Sequence, residues 1–107
     1  MPLSLADIER LRGLGYRVGD FMMYSGGERR LRNVDGVCFF LGDDGCRVYL
    51  DRPAGCRFYP LVADWRGRLV VDPGCRYSDR FMVGEGDRDR LRGFLRLIKR
   101  EKRHELL

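Results

Sequence analysis

Histidine occurs once, tryptophan once, proline four times and cysteine four times in 107 residues, and these scarcities exclude a good deal. With His104 alone, and that near the end of the chain, there is no Cys–His pair for a nucleophile and no histidine-rich metal site. The motifs GxSxG, HExxH, GxGxxG and GKS are all missing, and Gly26-Gly27 lacks the context of a phosphate cradle. No pair of acids stands in settings that would drive their pKa values apart, so no catalytic residue can be named and an enzymatic role stays open. No apolar run approaches a membrane span and the first residues have no signal-peptide pattern, so no membrane partner and a cytoplasmic location are expected. At this length the chain reads as a single domain, 1–107, with one modest core that a metal staple would help to close.

What is present is concentrated between Val37 and Cys75. The four cysteines, Cys38, Cys46, Cys56 and Cys75, are separated by 7, 9 and 18 residues, so no two form a CxxC knuckle. Four thiols match one tetrahedral sulfur site. In a reducing compartment they point to a metal before disulfides or free buried thiols. Arg47, Arg57 and Arg76 each follow a cysteine directly, and Arg52 lies in the loop between two of them. Four thiolates on a divalent cation carry net negative charge, which guanidinium groups nearby would offset; on the other hand Arg makes up 19 of the 107 residues. Arg57, inside the restricted Pro53 to Pro60 segment, is the first choice for such a counter-charge.

The run CFFL, a glycine turn, CRVYLDRPAGCRFYP, a strand pair and then PGC resembles the YkgJ-type cysteine-cluster family, described in general terms as a zinc- or iron-chelating domain. The pattern matches at Cys38, Cys46, Tyr49, Arg52, Pro53, Cys56, Arg57, Tyr59, Pro60 and Cys75. It extends over roughly residues 3 to 78, with PLSLADIERL similar to the helix that precedes the cluster. Members usually carry two or three further cysteines just before that helix, which this chain lacks. The full set can hold a larger or second centre; the four cysteines here fit one site.

The rest of the chain reads as scaffold. Ser4 caps a helix from about Leu5 to Leu14, Asp7 stands at the acidic position of a capping box, and Leu5, Ile8 and Leu11 form a buried stripe that Gly13 and Gly15 end. Gly19 to Tyr24 is expected to make a turn of helix, with Met22 and Met23 as core filler rather than soft-metal ligands. Strands are expected at Leu31 to Val34, Val37 to Leu41 and Cys46 to Leu50, separated by Asp35-Gly36 and by Gly42 to Gly45, reversals that bring Cys38 and Cys46 to adjacent strands. Asp43 and Asp44 are turn residues, well short of a calcium loop. Pro53 opens, and Pro60 ends, a turn or short helix bearing Cys56. Leu61 to Trp65 and Arg68 to Asp72 make a hairpin about Arg66-Gly67 that returns the chain to Cys75.

A helix from about Asp87 to Glu105 closes the chain, with Leu91, Phe94, Leu95 and Ile98 on one face. Eight basic and four acidic residues follow residue 86, which puts +4 of the net +5 in this segment. Such a helix can touch phosphates, although charged terminal helices are more often simply solvated.

The expected fold is therefore α+β, with short antiparallel strands, flanking helices and a four-cysteine metal site. Zn2+ is the first choice of metal, in a closed site that is structural or serves a protein partner. A four-iron four-sulfur cluster (4Fe-4S) with a redox or enzymatic role is the alternative, since four thiolates serve it equally. Nucleic-acid binding through the terminal helix is the second.

Overall fold

The computed structural model describes residues 1–74 and 83–106, with side chains described to Lys102. Helix α1, Leu5–Gly13, begins at the capping box: the Asp7 amide donates to Ser4 Oγ and the Ser4 amide to Asp7 Oδ2, each at 3.0 Å. Ile8 and Leu11 are buried, but Leu5 faces outward at the first helical position, so the stripe is two residues deep rather than three. The Gly15 amide, donating to the Arg12 carbonyl at 2.9 Å, closes the helix end, and Gly15 has a φ of 101°.

Helix α2 is confined to Val18–Phe21, and Met22–Ser25 is strand β1, antiparallel to β2, Glu28–Leu31. The expected helical turn over Gly19 to Tyr24 thus stops at Phe21. The reason lies two residues on: Gly26 and Gly27 both have positive φ, 61° and 81°, the geometry of a two-residue primed turn, which requires strands on both sides. Residues 1–3 run along β2, with the Leu3 amide donating to Arg29 O and the Leu31 amide to Met1 O at 2.8 and 2.9 Å.

The expected strands from Leu31 to Leu50 are broken into shorter pieces. β3, Asn33–Val34, pairs with β4, Val37–Cys38, across Asp35-Gly36; β5, Leu41–Gly42, pairs with β6, Gly45–Cys46. Cys38 lies opposite Asn33 and Cys46 opposite Leu41, so the two cysteines are not on adjacent strands as expected. Phe39 and Phe40 interrupt the run because Phe40 turns into the core, 1% exposed, where its ring meets Tyr16 edge-on at 5.0 Å and Phe21 at 5.6 Å. After Cys46 the chain enters a 3-10 turn, Tyr49–Asp51, rather than continuing as strand.

Pro53 is the cap, not the first residue, of α3, Ala54–Phe58. The hairpin of β7, Leu61–Ala63, and β8, Leu69–Val71, forms as expected, and α4 spans Glu85–Leu106. The architecture is α+β, the strands among the described residues arranged as four separate two-stranded ladders. Among the described residues two apolar clusters fill it. One gathers Leu3, Ile8, Leu11, Phe21, Phe40 and Val48; the other joins Leu61 to Leu91, Phe94 and Ile98 of α4. Helix α3 serves both: Cys56 packs on the first cluster, Ala54 and Phe58 on the second. Among the described residues no helix is long and apolar enough to cross a membrane.

Candidate metal centre

Three of the four cysteines converge on one core. Cys38 ends β4, Cys46 ends β6 and Cys56 lies at the middle of α3; all three are half-buried free thiols packed against the first cluster. Their proximity is felt at Cys56, whose thiol is pushed up to about 11, first by burial and then by the negative charge that Cys38 and Cys46 would bring nearby. The amino group of Met1 lies in the same neighbourhood. Burial and Arg30 hold its pKa down, while Cys56 and Cys38 act in the opposite direction. Cys75 lies outside the described residues.

The chain leading to Cys75 is tied to the segment that bears Cys56. Asp72 Oδ2 accepts a hydrogen bond from the Tyr59 hydroxyl at 2.7 Å, its Oδ1 accepts from the Gly74 amide at 2.9 Å, and its own amide donates to Pro60 O at 2.7 Å. These contacts hold the Asp72 carboxyl below the usual carboxylate range, the Tyr59 hydroxyl contributing most. The hairpin excursion from Leu61 to Asp72 thus begins and ends at Tyr59-Pro60, a few residues after Cys56.

As a donor set the described cysteines are chemically matched, all sulfur, and a cation among them would offset the burial and the neighbouring negative charge that favour the protonated Cys56 thiol. Among the described residues, however, no three Cys, His, Asp or Glu side chains stand close enough together to hold an ion as they are. The arginines fall in different places. Arg47 donates to Phe39 O and lies over the Phe39 ring; Arg52 donates to Tyr49 O at 2.9 Å and lies 4.3 Å from the Tyr49 ring centroid. Arg57 is exposed and lines a cavity of about 350 Å3 with Asp87 and Arg90 of α4. Arg76 lies outside the described residues.

One residue does more than its sequence position suggests. Asp7, 1% exposed, accepts from the Ala54 amide at 3.0 Å as well as completing its capping box, and pairs with Arg10 at 2.9 Å. Arg10 in turn donates to the carbonyls of Asp51 and Arg52 at 3.3 and 3.1 Å. The pair fastens the start of α3, and with it Cys56, to α1. The spacing of Ser4 and Asp7 signals the cap, but nothing local signals a contact 47 residues away.

Compared with models of known protein families, with curated proteins and with solved structures, the chain matches none.

Proposed function

We propose that Cys38, Cys46, Cys56 and Cys75 together hold one metal ion, Zn2+ in the first instance, in a small domain of the YkgJ-type cysteine-cluster kind. The observation that carries this reading is the packing of three half-buried thiols, Cys38, Cys46 and Cys56, from three different elements against one core. The tie between Tyr59 and Asp72 supports it by bringing the chain back toward α3 just before Cys75. With all four thiolates engaged such a site is closed, so its contribution is structural: it cross-links short elements that would be weak alone, and leaves the outer surface to a partner.

The same four donors suit a 4Fe-4S cluster, and the two readings differ in spectrum rather than in ligands. Metal analysis and an absorption spectrum of protein purified without oxygen test both. Stoichiometric zinc with no visible absorption supports the first; a broad visible band with iron and sulfide transfers the site to the second. Full stability with neither metal rejects the proposal.

A further inference from the structure

A groove of about 690 Å3 lies between α4, the β7–β8 hairpin and the N-terminal segment, and no described cysteine lines it. Its floor is apolar, made by Leu61, Val62, Leu91, Phe94, Leu95 and Ile98. Its lip carries Trp65, 85% exposed, with the Arg66 guanidinium 4.6 Å from the ring centroid. The volume falls within the range of about 300–1,000 Å3 common to small-molecule sites.

The charges around it are unequal in what they already do. Arg30 is paired with Glu28 at 2.9 Å, while Asp64 is paired with Arg68 at 3.0 Å and accepts the Arg66 and Arg68 amides. Lys99 and Lys102, one helical turn apart on α4, have no acidic partner among the described residues. Lys102 lies against the β1–β2 turn, where a Cβ on Gly27 would come within 3.0 Å of its Cε, so its stem is seated beside the groove. The result is an apolar trough with two ammonium groups on α4 that have no acidic partner among the described residues.

We infer that this groove binds a single-tailed amphiphile with an anionic head: a straight-chain carboxylate whose tail lies on the apolar floor and whose head meets Lys99 and Lys102. Neither part suffices alone. An exposed ammonium pair binds a small carboxylate weakly, and a tail without a head leaves both cations without a counter-charge.

Trp65 is the only tryptophan and reports on the groove directly. The full chain is titrated with decanoate, decanol and acetate, each below the concentration at which it self-associates, with tryptophan fluorescence and calorimetry read in parallel. Decanoate is expected to give a saturable blue shift with heat, weakened by salt; decanol binds about tenfold less tightly and acetate produces neither signal. In a Lys99→Glu, Lys102→Glu double variant with unchanged circular dichroism, decanoate affinity falls about tenfold or more while decanol is unaffected. No saturable binding of decanoate by either method, equal affinity for decanol, or an unchanged decanoate affinity in the double variant each overturns the inference. Equal affinity for decanol would reassign the groove to neutral apolar partners.

Discussion

Asp7 gathers several buried polar contacts: two amides from different parts of the chain, Ser4 and Ala54, and the Arg10 guanidinium converge on one nearly inaccessible carboxylate. Removing it leaves the two amides without their acceptor and Arg10 without its acidic partner, left with the Asp51 and Arg52 carbonyls. An Asp7→Ala variant is therefore expected to lose about 3 kcal/mol in urea unfolding, whereas loss of a cap alone costs about 1. A loss near the lower figure would mean that the Ala54 and Arg10 contacts add little. At Cys56 the prediction concerns reactivity. With its thiol raised from 9.0 to about 11, the metal-free protein presents little thiolate at pH 8, and alkylation of Cys56 should run on the order of tenfold slower than that of a cysteine in a peptide, after allowance for the stronger nucleophile. Mass spectrometry of timed samples measures this, and reaction at the peptide rate would contradict it. The sign for stability follows: the folded state holds this proton more tightly, so its contribution is fully present below about pH 9 and is lost as pH rises from 9 toward 11. The capping role of Asp7 was legible from Ser4 and Asp7 three residues apart. Its bond to Ala54 was not, because no local pattern encodes a contact across 47 residues.

At the scale of elements, legibility followed turn chemistry. Arg66-Gly67 between alternating apolar residues announces the β7–β8 hairpin, and Asp35-Gly36 the reversal between β3 and β4. Gly26-Gly27, which lacks the context of a phosphate cradle, is the same kind of signal: both glycines have positive φ and β1 precedes them as a strand instead of the expected helical turn. The strands bearing Cys38 and Cys46 are shorter than expected: Phe39 and Phe40 look like strand residues, whereas the burial of Phe40 ends the ladder at Cys38. The start of α4 allows a further prediction. Asp87 accepts from the Gly84 amide at 3.2 Å and from Arg90 at 2.6 Å, which holds its carboxyl below the usual range. Since the folded pKa is depressed, the stabilisation exists above the unfolded value of 3.8 and is lost as pH falls through the folded pKa. An Asp87→Asn variant at neutral pH should show several-fold faster hydrogen exchange at the first turn of α4, and the parent should approach that behaviour in strong acid. Equal exchange in both proteins at neutral pH would show that Asp87 does not hold this turn.

The whole molecule is α+β with helices flanking short antiparallel strands, as composition and periodicity indicated. The division into two apolar clusters was not legible, because it depends on α3 directing Cys56 to one side and Ala54 and Phe58 to the other. The division also bears on the proposed metal centre. Two-stranded ladders of two residues each, such as β3–β4 and β5–β6, are marginal in isolation; Cys38 and Cys46 lie at their ends and Cys56 on the helix that joins the clusters. A four-thiolate link would fasten this weakest region to α3, and binding free energy at such sites is folding free energy, on the order of 10 kcal/mol in zinc-finger peptides. The most direct test is metal content and thermal unfolding of the parent and of the four single Cys→Ser variants, all purified without oxygen. The proposal predicts one zinc per parent chain, and in every variant a loss of metal together with a lower melting temperature. A parent that is metal-free yet melts as high with chelator as without it, or serine variants that keep both metal and melting temperature, would contradict it.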